Sequence, residues 1–213
     1  ARKDTSAIER TFLWQGDARM LVSIVKAVEY WLNAEHDALS AGVQVITLVE
    51  DNVRYYSSFL PVMYTELLHH SQRVIVEGLN LSQKILRMRA RPKILLCTTW
   101  EEAERAFERY AEEVLGIISD VEFPRAGEKV PRAGADFARQ VRAAYPDVPI
   151  VLHSSRPENE ALAHSVGADF LLKGSPLLLQ ELRDVMLEHF GFGDFVFRRP
   201  DATEVGRAAD LRG

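Results

Sequence analysis

The sequence is short of the features that mark several large classes of protein. It has a single cysteine, Cys97, inside the apolar run 94–97, so no disulfide framework can form and a buried, unreactive thiol is expected. No run approaches the roughly 20 apolar residues that cross a bilayer, and the first residues lack the apolar core of a signal peptide. A protein with these properties is expected in the reducing cytoplasm, with no membrane contact.

Positive charge is outnumbered by negative charge. The chain carries 26 Lys and Arg residues against 31 Asp and Glu residues, which gives a net charge of -5. No clustered Lys/Arg stripe of the kind that binds nucleic acid is present, so no direct contact with nucleic acid is expected. Catalytic triads, zinc-ligand spacings and glycine-rich phosphate loops are missing as well.

Short apolar segments alternate with segments of helical periodicity from residue 43 onward. This alternation is typical of a parallel sheet with helices on its faces, and runs that are apolar throughout indicate strands covered on both sides. The predicted strands are Val43–Val49, Lys93–Thr98, Leu115–Ser119, Pro149–His153 and Asp169–Leu172. The predicted fold class is therefore α/β, with a doubly wound five-stranded parallel sheet.

Helix signals occur between these strands. Thr99 is a candidate N-cap, and Glu102 three residues later completes a capping box, which predicts a helix over Glu101–Glu113. Two further stripes recur at helical spacing and are expected to face the core: Phe137, Val141 and Tyr145 in one helix, and Leu179, Leu182 and Met186 in the last helix.

The chain is expected to divide into three parts. Residues 41–190 hold the predicted sheet, with an insertion near 71–91 that either extends the preceding helix or adds another and that ends in a basic run. Residues 1–40 form an extra strand and helix, and residues 191–213 form a C-terminal extension with a further strand and turn.

The N-terminal part contains a candidate repeat. Residues 12–17 (FLWQGD) echo residues 170–175 (FLLKGS), and an apolar helix follows each segment. The repeat predicts a strand at Phe12–Gly16, left from a preceding similar unit, unless the likeness of six residues is chance. The helix that follows keeps apolar residues at helical spacing: Leu21, Ile24, Val25, Val28, Trp31 and Leu32.

Polar residues stand where the predicted strands end: Glu50 and Asp51, Asp120, Ser154 and Lys173. Ligands of open parallel sheets bind beyond the carboxyl ends of the strands, so these side chains are expected to converge. The carboxylates are hard oxygen ligands that suit Mg²⁺, and a divalent cation with Lys173 would relieve their mutual repulsion. The Asp120 carboxylate could then attack a phosphoryl donor and form an aspartyl phosphate.

Four segments resemble, in the right order, the bacterial response-regulator receiver family. Residues 45–52 (VITLVEDN) resemble its first strand and acidic pair, and residues 120–124 (DVEFP) resemble its phosphoacceptor aspartate followed four residues later by proline. Residues 149–155 (PIVLHSS) resemble the strand that presents a switching Ser or Thr, and residues 167–173 (GADFLLK) the stretch with the switch aromatic and the lysine. The resemblance covers most of residues 43–190 and implies a flavodoxin-like receiver fold.

The resemblance implies a magnesium site around Asp120. By it, Asp120 is the phosphoacceptor and a metal ligand, and Asp51 is a second direct ligand. Glu50 would bind the metal through water, and Glu122 would bind it through the backbone carbonyl. Mg²⁺ is the cofactor that the resemblance implies.

The resemblance also implies a switch. Ser154 would bind one phosphoryl oxygen and Lys173 another, and Phe170 would change rotamer when Ser154 moves. The implied function is that of a receiver in a two-component phosphorelay, which catalyses only its own phosphorylation and dephosphorylation and is otherwise no enzyme. The implied phosphodonor is a histidine kinase or phosphotransfer protein, and an output domain is expected in a longer chain.

Departures from the family pattern support a main alternative. Gly174 stands where the family usually has proline after the lysine, and the loop 125–132 is longer than usual. The alternative is a pseudo-receiver, a binding module that signals through protein contact without phosphorylation. A phosphatase with Asp120 as nucleophile is disfavoured, because Glu122 stands where its general-acid aspartate belongs and the longer side chain would misplace the proton.

The two ends of the chain carry a second resemblance. Gln15 stands in the N-terminal repeat where the lysine belongs, which implies an inactive or truncated unit. Together with the tail 192–197 (FGDFVF), this arrangement is similar to the front of some bacterial proteins related to phosphoenolpyruvate synthases.

Overall fold

The structure is a computed structural model that describes residues 10–76, 91–190, 195–199 and 203–208. Its helices are α1 (Arg19–Ala41), α2 (Val53–Val76), α3 (Trp100–Tyr110), α4 (Ala133–Ala144), α5 (Asn159–Ser165) and α6 (Leu178–Glu188), with one 3₁₀ turn at Ala111–Glu113. Its strands are β1 (Val45–Val49), β2 (Lys93–Cys97), β3 (Val114–Asp120), β4 (Phe123–Arg125), β5 (Glu128–Val130), β6 (Ile150–Ser154), β7 (Asp169–Leu172), β8 (Phe195–Arg198) and β9 (Glu204–Ala208).

Five parallel strands form the central sheet in the order β2-β1-β3-β6-β7. Counted along the chain, this is the order 2-1-3-4-5 of flavodoxin-like sheets. All five predicted strands are present, with small differences at their ends. The predicted fold class, a five-stranded parallel α/β fold, is confirmed.

Each face of the sheet carries its own apolar core. One core lies under α2 and α6 and includes Leu48, Ile118 and Leu171. The other lies under α3, α4 and α5 and includes Ile117 and Leu152. Covering on both faces explains why the strands are apolar throughout.

Two predicted helices need small corrections. Helix α3 is capped by Thr99, whose hydroxyl accepts a hydrogen bond from the Glu102 N–H at 3.2 Å. The Glu102 carboxylate accepts from the N–H of Thr98 at 2.6 Å rather than from that of Thr99, and the α-helix ends at Tyr110. In α6, Leu182 and Met186 are buried as predicted, but Leu179 is exposed.

The predicted strand at Phe12–Gly16 is wrong, because residues 10–15 have no regular secondary structure. The N–H of Leu13 donates to Ser57 Oγ at 3.0 Å, and the Tyr56 hydroxyl donates to the Thr11 carbonyl at 2.5 Å. This segment therefore pairs with side chains of α2 instead of with another strand.

The predicted helix after this segment is present as α1. It ends at Gly42, which adopts the left-handed conformation that favours glycine (φ 62°). Lys93 at the start of β2 anchors it, with Nζ 2.7 Å from Asp37 Oδ2 and 4.5 Å from the Tyr30 ring centre. Helix α1 thus lies along α2 and the β2 edge of the sheet.

Two antiparallel hairpins supplement the sheet. The long loop expected at 125–132 contains the β4-β5 hairpin, which turns at Ala126 and Gly127, both with positive φ as such two-residue turns require. Strands β8 and β9 form a second hairpin where one strand was predicted. Helix α2 continues to Val76, and residues 77–90 of the insertion lie outside the described residues. No helix in the described ranges is both long and apolar enough to cross a membrane.

Candidate functional site

The candidate site lies at the carboxyl edge of the sheet, on the face covered by α2 and α6. Alternate side chains of a strand point to the same face, so a residue two positions beyond a core residue shares its direction. Each central residue of the site lies two positions beyond a member of that core: Glu50 beyond Leu48, Asp120 beyond Ile118, and Lys173 beyond Leu171. Strand parity alone therefore brings two carboxylates and one ammonium together.

These three side chains form a buried ionic cluster. Lys173 Nζ lies 2.5 Å from Asp120 Oδ2 and 2.7 Å from Glu50 Oε2. All three side chains are less than one-tenth exposed, and the ammonium also lies 4.4 Å from the ring centre of Tyr55. Buried charges of this kind are tolerated only when they are paired.

Burial shifts the protonation of both carboxylates. It raises the pKa of Glu50 to about 7, against the charge of Lys173 and with the help of Asp120. It also raises the pKa of Asp120, although Lys173 and the hydrogen bond from Glu122 oppose the shift. The cluster holds more negative charge than its single ammonium compensates, and a further cation nearby would stabilise the ionised carboxylates.

Asp51 lies next to this cluster and has a partner that sequence reasoning missed. Lys129 Nζ, on the β4-β5 hairpin, lies 3.0 Å from Asp51 Oδ2. Although partial burial works against it, the hydrogen bond and charge of Asp51 raise the pKa of Lys129. No sequence signal marked Lys129, because a hairpin within an expected loop was needed to bring it to the site.

Glu122 borders the cluster, whereas Ser154 has contacts of its own at the end of β6. The backbone N–H of Glu122 donates to Asp120 Oδ1 at 3.2 Å. The Ser154 hydroxyl accepts hydrogen bonds from Asn159 Nδ2 at 2.9 Å and from the Arg156 N–H at 3.2 Å. Phe170 is partly buried against the core under α3, α4 and α5. Ser154 and Phe170 thus belong to the face of the sheet opposite the buried ionic cluster.

His153 is a second residue that the sequence did not single out. Its side chain is fully buried, with Nδ1 3.6 Å from Glu50 Oε2 and the ring edge-on to Phe59 at 5.3 Å. Neither ring nitrogen has a hydrogen-bond partner among the described residues. Burial, and then the charge of Lys173, lower the pKa of His153 well below 6.5, so the ring is neutral. Its position two residues beyond Val151 is the signal that could have found it.

The donor set fits a hard divalent cation. Glu50, Asp120 and His153 offer ligand atoms within 4.8 Å of one another, but Lys173 Nζ already contacts both carboxylates there. Asp51 lies close enough to Asp120 for its charge to raise the pKa of Asp120, and the Glu122 N–H donates to Asp120 Oδ1. Carboxylate and carbonyl oxygens are the ligands that Mg²⁺ prefers.

The fold and site define an α/β protein with a flavodoxin-like sheet and an acidic site at its carboxyl edge. No protein-family model and no curated protein matches the sequence. Among solved structures, a response regulator receiver domain protein from Clostridium thermocellum is similar at 16% identity, over 70% of this chain and 95% of its own, with a TM-score of 0.46.

Two other solved structures are similar in the same way. The chemotaxis protein CheY4 of Vibrio cholerae aligns at 18% identity over 69% of this chain and 98% of its own, with a TM-score of 0.43. The phosphorylated cyanobacterial phytochrome response regulator RcpA aligns at 14% identity over 77% and 99%, also with a TM-score of 0.43. Likenesses of this strength say nothing about chemistry, and the similarity to proteins related to phosphoenolpyruvate synthases stays a prediction.

Proposed function

We propose that this chain is a phosphoacceptor receiver of a two-component phosphorelay, with Asp120 as the acceptor. The observation that carries the proposal is the buried ammonium of Lys173, which contacts both Asp120 and Glu50. A purely structural ion pair needs one carboxylate, and burying a second one is costly. An excess of buried carboxylates beside one lysine favours a bound cation, and a cation is what metal-assisted phosphoryl transfer uses.

The two oxygens of Asp120 have different partners. Oδ2 is held by Lys173, whereas Oδ1 accepts only the longer hydrogen bond from the Glu122 N–H among the described residues. Oδ1 is therefore the better candidate for attack on a phosphoryl group. Lys173 would then neutralise charge that develops on the phosphoryl oxygens.

Mg²⁺ is the cation proposed for the site. Asp51, Asp120 and the Glu122 carbonyl would hold it directly, and Glu50 through water. When bound, the ion supplies charge neutralisation for the phosphoryl group. The chain itself orients Asp120 through Lys173 and excludes water from the buried side of the carboxylate.

The output of the proposed receiver starts at Ser154. Its hydroxyl would exchange the hydrogen bonds from Asn159 and Arg156 for one to a phosphoryl oxygen. A shift there, at the end of β6, would allow Phe170 on the neighbouring β7 to change its packing. The phosphodonor would be a histidine kinase or a phosphotransfer protein.

One observation favours the pseudo-receiver as a second candidate. The Lys129 ammonium contacts Asp51, one of the proposed metal ligands, and could take the place of the cation. In that case the site would be neutralised by two lysines and would need neither Mg²⁺ nor phosphorylation.

Intact-mass spectrometry after incubation with acetyl phosphate and Mg²⁺ separates the two candidates. We expect one phosphoryl adduct on the wild-type chain, no adduct with EDTA and none on Asp120→Asn. The matched control is Asp136→Asn, an exposed aspartate on α4, which should be phosphorylated like the wild type. An unmodified wild-type chain that also fails to bind Mg²⁺ in a titration would contradict the phosphoacceptor and favour the pseudo-receiver.

A further inference from the structure

Helix α1 presents an apolar stripe to solvent, and we propose that this stripe pairs antiparallel with the same stripe of a second copy of the chain. The stripe consists of residues that are each more than half exposed: Leu21, Val25, Val28, Leu32 and Leu39. Trp31 and Val22, also exposed, flank it. We call this set the outer stripe.

The opposite side of α1 packs against its own domain. Buried residues recur there at helical spacing: Met20, Ser23, Tyr30, Ala34 and Ala38. Apolar residues therefore cover more than half of the circumference of α1. A helix that is apolar so far round is expected to be covered on both sides, and the described residues of its own chain cover only one.

The spacing of the outer stripe is that of a coiled-coil contact. Its members follow one another at intervals of four, three, four and seven residues, which places them at the a and d positions of a heptad. Glu35 occupies the one position of the series that is not apolar. This spacing favours another long helix as the partner over a flat surface or a loop.

The area also suits a second copy. The seven apolar side chains on the outside of α1 expose on the order of 800 Å², close to what each partner contributes to an interface of standard size. A twofold interface uses the same patch on both chains, so one self-complementary stripe is sufficient.

Charge selects the antiparallel direction. The Glu35 carboxylate is ion-paired with Arg109 of its own chain. A parallel pair would place two such ion pairs opposite each other within the contact, which crowds like charges that an antiparallel pair separates. In the antiparallel register that matches Leu21 with Leu32 and Val25 with Val28, Glu35 lies beside Ala18 and Arg19 of the second copy. The same register brings Leu39 toward Trp14, another exposed apolar side chain.

The first test is the mass of the wild-type chain by sedimentation equilibrium, up to about 100 µM, which detects dissociation constants in the micromolar range. We expect a dimer, and we expect Val25→Glu and Leu32→Glu each to weaken it at least about tenfold by burying an unpaired charge. Both positions are exposed, so the variants should fold, which circular dichroism would check. The matched control is Leu179→Glu, an exposed leucine on α6, which should dimerise like the wild type.

The second test is disulfide trapping, which reports on direction. Mixed Leu21→Cys and Leu32→Cys chains should form a disulfide with each other, while neither variant alone should cross-link to itself. Self-linking of Leu21→Cys alone would indicate a parallel pair and overturn the proposed register. A monomeric wild-type chain, or a dimer that Val25→Glu leaves intact, would overturn the proposal.

Discussion

The carboxyl edge of the sheet buries charge, whereas the outer stripe of α1 exposes apolar side chains to water. Both regions reverse the usual partition of residues between core and surface, and both reversals cost free energy. The buried charges are compensated inside the chain, because strand parity brings Lys173 to both carboxylates. The exposed stripe has no such compensation from the part of the chain that the structure describes.

This difference separates two kinds of function. A site that needs ionised groups of fixed geometry is built where neighbouring strands hold each group rigidly and water is excluded. A site for association has to stay accessible, so its favourable contacts form only with a partner.

Replacing Lys173 with methionine should produce the largest loss of stability. The variant leaves Glu50 and Asp120 buried without a countercharge, and breaking a buried ion pair costs about 3–5 kcal/mol. Urea unfolding at pH 7 measures this change. The control is Lys129→Met, whose exposed ion pair with Asp51 should contribute less than about 1 kcal/mol. Equal losses in both variants would contradict the assignment of the buried cluster.

The two sides of α1 should respond differently to the loss of an aromatic ring. Tyr30 is buried and packs edge-on against Tyr64 at 5.5 Å, so Tyr30→Ala should cost about 3–5 kcal/mol of unfolding free energy. Its neighbour Trp31 is exposed. Replacing Trp31 with alanine should therefore change the free energy of unfolding by no more than about 0.5 kcal/mol. Urea unfolding of dilute protein checks both, and a large loss for Trp31→Ala there would indicate that α1 is covered by its own chain.

The pH dependence of stability should reveal the buried Glu50. Between its ordinary pKa of 4.5 and its folded pKa of about 7, the folded chain holds a proton that the unfolded chain has lost. Stability from this group therefore falls as pH rises through that range. His153 has the opposite effect on stability. Because its pKa is lowered in the folded chain, the unfolded chain takes up a proton first below about pH 6.5, so stability from His153 rises as pH rises toward that value.

Removing Glu50 should expose the effect of His153. In Glu50→Gln, the unfolding free energy should rise with pH between about 5 and 6.5 more steeply than in the wild type, by about 1 kcal/mol per pH unit. Denaturant unfolding at several pH values in EDTA measures both slopes. Parallel curves for the two proteins would show that Glu50 is not protonated in the folded chain.

The smallest expected effect concerns Lys129. Its exposed ammonium competes for Asp51 with any cation, so Lys129→Gln should strengthen Mg²⁺ binding by about two- to fivefold, the value of an exposed ion pair. Calorimetric titration measures the affinity, and Lys129→Arg, which keeps the charge, should bind like the wild type. A weaker affinity in Lys129→Gln would mean that Lys129 supports the metal site instead of competing with it.

Local patterns along the chain predict the sheet and the centre of the site. Strands covered on both faces must be apolar throughout, so their positions are readable, and the polar residues that follow them must lie at one edge of a parallel sheet. That reasoning was sufficient to bring Glu50, Asp120 and Lys173 together. His153 was equally within its reach, because its strand parity is the same as that of Val151.

Contacts between distant segments, by contrast, follow from the folded chain, because the local patterns of those segments carry no signal for a partner. A hairpin carries Lys129 to Asp51, and side chains of α2, not a neighbouring strand, satisfy the backbone of residues 11–13. Helix α1 was predicted from apolar residues at helical spacing, but that spacing does not say which side of the helix will pack against the rest of the domain. The direction of its outer stripe follows from packing against α2 and β2, since the hydrophobic effect acts on whatever surface the rest of the chain supplies.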